Sequence, residues 1–204
     1  MSKDFFTPAS AADYYGELVH HPDPARAVGW ESASAQAARF DLVRRYVRPG
    51  DRVLDLGAGL GDLGRHLLMH AWSGDYLGLE RDARLVARGR RRLPAVALQS
   101  ADFLADPIGE GDVVAAIGVL VDGWPQRSDA VRFGRVRRLI EVVRAAAKRT
   151  GIIVVLDQDR LEAHPILCEE PALGGVRQAE LAWLAPDAEV VRLLSLDLAL
   201  VLHC

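Results

Sequence analysis

The sequence has few cysteines, no long apolar run and no strong excess of charge. Its two cysteines, Cys168 and Cys204, lack CxxC spacing, so neither a disulfide framework nor a zinc motif is predicted. The longest apolar run, from Val113 to Val121, has nine residues, whereas a membrane-spanning helix needs roughly 20. The residues after Met1 contain no apolar stretch typical of a signal peptide. These absences predict a soluble, reduced, cytoplasmic protein with no membrane partner.

The near balance of charge also limits the partners. The chain carries 25 basic and 28 acidic residues, which disfavours binding to a nucleic-acid backbone or an anionic membrane. Arginine clusters could still touch RNA, but with this balance we expect solvated helix faces or contacts between the subunits of a homodimer. The clustered residues are Arg88, Arg90, Arg91, Arg92, Arg132, Arg135, Arg137 and Arg138.

From residue 50 onward, short apolar segments alternate with helical patterns. Half of the 204 residues are hydrophobic, enough for a sizeable core in one domain. Strands buried on both faces and joined by helices imply a parallel sheet with right-handed crossovers. Residues 189–203 leave no room for a helix and predict an antiparallel hairpin. The other predicted strands are Arg52–Leu56, Tyr76–Glu80, Ala95–Gln99, Asp112–Gly118 and Ile152–Asp157. Helices are predicted at about 32–47, 62–70, 82–93, 128–149 and 176–183.

Residues 1–49 precede this alternation and are predicted to form a helical cap over a core of residues 50–204. The segment holds seven of the thirteen aromatic residues, and such apolar bulk must pack over something. The open carboxyl edge of the sheet is the expected place, because closure there would exclude water. The prolines of His20–Pro24 predict a hinge between two helices. The seven aromatics are Phe5, Phe6, Tyr14, Tyr15, Trp30, Phe40 and Tyr46.

A glycine-rich turn follows the first predicted strand, with four glycines between residues 57 and 64. Glycines let a ligand approach the backbone, and this is where open α/β sheets bind ligands. Gly59-x-Gly61-x-x-Gly64 matches the dinucleotide fingerprint, but the turn begins two residues too early for it. Asp55, at the strand end, would also repel a pyrophosphate. The turn therefore favours a cofactor that lacks phosphate and carries positive charge.

Acidic residues also follow the next two strands. Glu80 ends the second strand, where a carboxylate can accept both hydroxyl protons of a ribose. Asp102 follows the third strand and could accept from an adenine amino group, with Phe103 beside the ring. Each acid alone is typical of an ordinary surface position. Together with the glycine turn, they predict a pocket for a cationic adenosine derivative.

From about residue 50 to residue 204, the sequence resembles the class I S-adenosylmethionine-dependent methyltransferases. Residues 55–61 look like that family's first motif, 79–80 like the second, 101–103 like the third and 112–120 like the fourth. The resemblance implies that the cofactor is S-adenosyl-L-methionine. It also implies a doubly wound, Rossmann-like α/β fold whose seven-stranded sheet is mostly parallel, with one antiparallel strand in the carboxyl-terminal hairpin. The cofactor-binding residues would be Asp55, Gly57, Ala58, Gly59, Gly61, Glu80, Arg81, Ala101, Asp102, Phe103 and Gly118.

Two residues ahead of the core are further candidates through the same resemblance. Arg39 could bind the carboxylate of the cofactor, because a buried carboxylate favours a bidentate partner, or it could face solvent. Tyr15 could line a lid over the sulfonium, or it could anchor the amino-terminal helix to the core.

Catalytic residues are less clearly marked. Methyl transfer needs a base only where the acceptor must lose a proton. The candidate bases lie in loops or in the segment before the core, and they are His20, His21, Asp122, Asp157 and His164. His66 and His70 lie one helical turn apart, but no third ligand is evident in the sequence, so no metal site is predicted.

Motifs that the sequence lacks exclude several classes of methyl acceptor. The segment after the fourth strand lacks the Asn/Asp-Pro-Pro-aromatic run by which family members methylate exocyclic amines. A Pro-Cys nucleophile and the double-glutamate loop of protein arginine methyltransferases are also missing. We therefore expect O- or N-methylation of a small organic molecule, for example in secondary metabolism. The alternatives are a methyltransferase-like cyclase, scaffold or partner subunit, or an RNA methyltransferase.

Overall fold

The structure is a computed structural model that describes residues 16–119, 129–164, 175–193 and 196–204. Tyr15, Asp122 and Cys168 lie outside the described residues. A seven-stranded sheet has the order β3-β2-β1-β4-β5-β7-β6. Only β7 runs antiparallel to its neighbours β5 and β6, so the predicted fold class is confirmed. The strands are β1 Arg52–Leu56, β2 Asp75–Glu80, β3 Ala97–Ser100, β4 Gly111–Ile117, β5 Ala147–Leu156, β6 Glu189–Arg192 and β7 Asp197–His203.

Helices cover both faces of this sheet, and their starts follow local capping signals. The side chains of Asp23, Ser32, Asp82 and Asp157 each accept a hydrogen bond from a backbone N–H of the helix that follows. None of the described helices combines the length and apolarity needed to cross a bilayer. The helices are α1 Pro24–Ala27, α2 Ala33–Arg44, α3 Asp62–Met69, α4 Ala83–Arg92, α5 Asp129–Ala146, α6 Gln158–Ala163 and α7 Gln178–Leu184.

Two helices end three residues earlier than the sequence predicts. Arg149 makes hydrogen bonds near both of these ends. The helix predicted to reach residue 149 stops at Ala146, because residues 147–156 pair with β4 and β7. Arg149 thereby reaches Asp51 with two hydrogen bonds of 2.5 and 3.0 Å. It also donates to the carbonyl oxygen of Tyr46 at 3.0 Å, just beyond the early end of α2.

The core has two parts, one on each face of the sheet. On one face, strand residues such as Leu54 and Val114 pack with Val143 of α5. On the other face, Val53 and Val113 pack with residues of α2 and α3. Alternate strand residues therefore serve opposite faces, as the doubly wound arrangement requires.

Candidate cofactor site

The glycine-rich turn is held at the carboxyl edge of the sheet. After β1 the chain turns through Gly57, Gly59 and Gly61, all with positive φ, and Gly61 caps the start of α3. The N–H groups of Gly57 and Ala58 both donate to the carbonyl oxygen of Leu79, at 2.8 and 3.0 Å. These bonds tie the turn to the neighbouring strand β2 and fix its shape.

Residues of this chain itself pack closely over the turn. A β-carbon at Gly59 would lie 2.9 Å from Val28 Cγ1, and one at Gly118 would lie 2.8 Å from Trp30 Cη2. A β-carbon at Gly57 would collide with Val119. The glycines therefore make room for these side chains as well as for any ligand. Val28 and Trp30 belong to the segment before the core, so these two side chains lie at the carboxyl edge of the sheet.

Glu80 is fixed beside the turn by two backbone donors. Its Oε2 accepts from the N–H of Gly59 at 3.1 Å, and its Oε1 accepts from the N–H of Asp82 at 2.9 Å. Burial raises the pKa of Glu80, against the opposing effect of these two hydrogen bonds. Among the described residues, no side-chain cation forms an ion pair with this carboxylate. Glu80 thus ends β2 with its carboxylate oriented by two backbone N–H groups.

The segment after β3 lies next to Glu80. The N–H of Ala101 donates to the carbonyl oxygen of Glu80 at 3.1 Å. Phe103 Cε1 would lie 3.8 Å from a β-carbon at Gly57, so its ring borders the turn. Asp102 Oδ1 accepts from the N–H of Leu104 at 3.0 Å and orders this loop. The structure therefore brings most of the predicted cofactor residues together, while Arg81 is exposed.

Asp55 differs from its predicted role as a charged group facing the turn. Its carboxylate is buried and accepts a hydrogen bond of 2.6 Å from the hydroxyl of Tyr76. The Tyr76 ring packs against Gly64 of α3. Burial raises the pKa of Asp55 to about 7, although the bond from Tyr76 acts in the opposite direction. Asp55 is therefore an internal link between β1, β2 and α3 that is partly protonated near neutral pH.

Arg39 lies in a buried environment, which decides against one of the two predictions made for it. It is only 6% exposed, so the solvent-facing alternative is wrong. Its guanidinium forms an ion pair with buried Asp197, donates to the carbonyl oxygen of Ala35 at 2.6 Å and lies 4.4 Å from the centroid of the Trp30 ring. These partners engage Nη1 and Nη2, whereas Nε is buried without a hydrogen-bond partner among the described residues. Asp197 was not predicted to lie at the site, although a lone acid at the start of an apolar strand is a usable signal.

The candidate bases occupy different environments. His20 is exposed, and His21 Nδ1 accepts from the N–H of Asp23 at 3.0 Å within a local turn. His164 caps the end of α6. Asp157, at the end of β5, is fully buried, and its Oδ1 accepts from two N–H groups of α6. Its Oδ2 is buried without a hydrogen-bond partner among the described residues and lies 4.0 Å from Nε of Arg192.

The arginine cluster of α4 is largely structural, which corrects the expectation of a solvated face. Arg88 donates to the carbonyl oxygens of Val19 and His21, at 2.5 and 2.8 Å. Arg90 donates twice to the carbonyl oxygen of Leu98, at 3.0 and 2.7 Å. A third member of the cluster, Arg92, forms an ion pair with Asp62. These contacts hold the segment before the core and the strand β3 against α4.

Comparisons with known proteins agree with this architecture. The profile of the family described as methionine biosynthesis protein MetW matches residues 37–106, about a third of the chain. No curated protein sequence is significantly similar. Magnesium protoporphyrin IX methyltransferase of Synechocystis PCC 6803, crystallised with S-adenosylmethionine, has a TM-score of 0.62 at 14% identity, covering 95% of this chain and 91% of that one. N-methyltransferase NodS of Bradyrhizobium japonicum WM9, crystallised with S-adenosylhomocysteine, has a TM-score of 0.66 at 12% identity, covering 93% and 96%.

Proposed function

We propose that this chain, which has the fold of class I S-adenosylmethionine-dependent methyltransferases, binds S-adenosylmethionine at the glycine turn and transfers its methyl group to a small organic acceptor. The observation that carries the proposal is the arrangement of Glu80. Two backbone N–H groups orient its carboxylate beside the turn, and no side chain among the described residues forms an ion pair with it.

The chemistry of Glu80 favours a nucleoside over a dinucleotide. Each carboxylate oxygen can accept more than one hydrogen bond, so both remain able to accept from a ribose diol. A pyrophosphate placed beside the same carboxylate would be repelled. Phe103 offers an apolar face for an adenine ring at the border of the turn. These features fit an uncharged ribose joined to a group without phosphate.

When bound, S-adenosylmethionine supplies an electrophilic methyl carbon on a positively charged sulfur. The tasks left to the protein are alignment of the acceptor and exclusion of water. Val28, Trp30 and Val119 are positioned for both, because their side chains cover the glycines. We propose that residues 1–49 act as a cap whose docking completes this cover. Its hydrogen exchange is then expected to slow when the cofactor binds.

The acceptor would bind near Trp30 and Asp157. The ring of Trp30 packs against Gly118 on one side. On the other side it lies against the guanidinium of Arg39, which forms the ion pair with Asp197. Asp197 pairs in register with Leu156, the residue before Asp157. A flat molecule with a hydroxyl or amino donor suits an aromatic side chain and a carboxylate oxygen, Asp157 Oδ2, that accepts no hydrogen bond from the described residues. Such donors are the groups modified in O- and N-methylation, with Asp157 as the proposed proton acceptor.

A second function, cofactor binding without methyl transfer, is favoured by one specific observation. The description of the matched family profile refers to methionine biosynthesis. The matched residues, 37–106, include the glycine turn and Glu80 but end before β4 and β5. The similarity thus covers the proposed cofactor half and leaves out the proposed acceptor half. In this alternative the chain would act as a partner subunit that responds to the cofactor.

Calorimetric titration with S-adenosylmethionine and S-adenosylhomocysteine tests the binding proposal. We expect Glu80→Gln to weaken binding by about 1.5–3 kcal/mol, the range for a hydrogen bond to a charged group. Glu110→Gln is the matched control, because Glu110 is exposed and directly precedes β4 at the opposite edge of the sheet. Equal affinity in the two variants would remove Glu80 from the site. Binding of NAD in place of both adenosyl compounds would overturn the cofactor assignment.

Formation of S-adenosylhomocysteine separates the two functions. The wild-type protein is incubated with S-adenosylmethionine and a panel of phenols and amines. We expect at least one of these acceptors to cause release of S-adenosylhomocysteine. Asp157→Asn should lower the rate without changing cofactor affinity. Cofactor binding without turnover on any acceptor would support the partner-subunit alternative instead.

A further inference from the structure

We propose that Asp41, His66 and His70 form a binding site for a divalent transition-metal ion, for which Zn²⁺ is the probe. Asp41 lies on α2, His66 lies on α3, and His70 is the residue that caps the end of α3. The two histidines are four positions apart in the sequence, which places them on one helix face. The sequence alone leaves this pair without a third ligand, and the fold supplies it from a different helix.

The three donor groups are already close enough to share one ion. One ligand atom from each residue lies within 4.8 Å of the other two. His66 Nε2 and Asp41 Oδ1 are 3.1 Å apart. In a tetrahedral zinc site with bonds of about 2.0–2.1 Å, ligand atoms lie about 3.3 Å from one another. Only a small movement of His70 is therefore needed to complete three corners of such a site.

The hydrogen bond of His70 leaves the correct nitrogen free. His70 Nδ1 lies 2.8 Å from the carbonyl oxygen of His66. Because a carbonyl oxygen can only accept, Nδ1 must carry the proton. In the neutral ring, Nε2 then holds the lone pair. A backbone carbonyl that binds the non-ligating nitrogen is the usual outer contact of a metal-binding histidine, since it fixes both the tautomer and the ring orientation.

His66 is held in place by packing. Its side chain is 12% exposed, and the centroid of the Phe40 ring lies 5.6 Å from that of its imidazole ring. The ring is thereby fixed with Nε2 next to Asp41 Oδ1.

Arg44 is the competitor for the site. Its Nε lies 3.2 Å from Asp41 Oδ1, and the two side chains are 45% and 44% exposed. Exposed ion pairs of this kind are weak, so an ion bound by two imidazoles can displace the arginine. Two imidazoles and one carboxylate select Zn²⁺, Cu²⁺, Ni²⁺ or Co²⁺ over Mg²⁺ and Ca²⁺. Three protein ligands leave a fourth position for water.

Titration of the untagged full chain with Zn²⁺, with Mg²⁺ in excess, tests the site. We expect one Zn²⁺ per chain and a rise in melting temperature, since an ion that binds the native state stabilises it by mass action. His70→Gln and Asp41→Asn should each weaken binding at least tenfold. Both substitutions lie on the surface, and circular dichroism without metal will verify that each variant is folded. Arg44→Gln should tighten binding, because it removes the competing cation.

His203→Gln is the matched control, because His203 is an exposed histidine on β7 that is not part of the cluster. It should bind Zn²⁺ like the wild type. Co²⁺ substitution should give visible absorption bands that disappear in His70→Gln. No binding of Zn²⁺ by the wild type would overturn the proposal. So would wild-type affinity in either His70→Gln or Asp41→Asn, because the ion would then be bound elsewhere. The test does not depend on the proposed methyl transfer.

Discussion

Asp55 is expected to make the stability of the fold depend on pH near neutrality. Its pKa is raised from the ordinary value of 3.8 to about 7 in the folded chain, chiefly by burial. Between these values the folded state holds a proton that the unfolded state releases. The stabilisation is therefore fully present below about pH 4 and is lost as the pH rises through 7.

The size of this effect follows from the same two pKa values. At about 1.4 kcal/mol per pKa unit, the difference between 3.8 and about 7 corresponds to about 4 kcal/mol. About 3 kcal/mol of this falls between pH 5 and pH 8. Asp55→Asn removes the titrating group but keeps an oxygen that can accept from the Tyr76 hydroxyl. Relative to wild type, the variant should become more stable by about that amount as the pH rises across this interval.

Urea denaturation of both proteins at pH 5, 6.5 and 8 measures the difference, and titrations elsewhere in the chain cancel in the comparison. Asp75→Asn is the matched control, because Asp75 is exposed at the start of β2, and its difference from wild type should stay flat. Tyr76→Phe should move the fall to higher pH, because the Tyr76 bond lowers the pKa of Asp55. A constant difference between Asp55→Asn and wild type would refute the reasoning.

Two further predictions concern contacts of the segment before the core. Arg39→Met should lower the free energy of unfolding by about 3–5 kcal/mol in urea, because it removes the guanidinium that forms the buried ion pair with Asp197. Most of that loss should be recovered in the double variant Arg39→Met/Asp197→Leu, and a lack of recovery would contradict the ion-pair explanation. Arg88→Ala should speed proteolysis near Val19 while changing global stability little, since the carbonyl oxygens it binds lie in this segment. The control variant Arg91→Ala changes an exposed residue of α4, and it should be cleaved by the protease at the wild-type rate.

The features that were predictable from the sequence are those encoded locally. The strand β1 and the turn that follows it are marked by an apolar run and by glycines, and the structure has both at the predicted positions. The hairpin of β6 and β7 follows from two strand-like segments with too few residues between them for a helix. Glu80 is recognisable because it ends a strand, and the ends of parallel strands meet at one edge of the sheet.

The features that were missed depend on partners distant in the sequence. Nothing near Asp55 shows that Tyr76 will bind it, or that both will be buried. The pairing of Arg39 with Asp197 requires the order of strands in the sheet, which brings β7 beside β5. The third residue of the histidine cluster, Asp41, comes from a helix that must first pack on α3. In each case, the local pattern identifies the residue type and the tertiary fold determines its role.

The ion pair of Arg39 and Asp197 also has a consequence for how the chain acquires its structure. Arg39 lies early in the chain. Its partner Asp197 is the first residue of β7, so the partner is present only after the chain has been synthesised to β7. Until then, α2 cannot bury Arg39 without leaving an uncompensated charge in the interior, which is strongly unfavourable. Trp30, stacked on the same guanidinium, depends on the same event. Ordering of this part of the chain is therefore a late step of folding, delayed until the strand that carries Asp197 has joined the sheet.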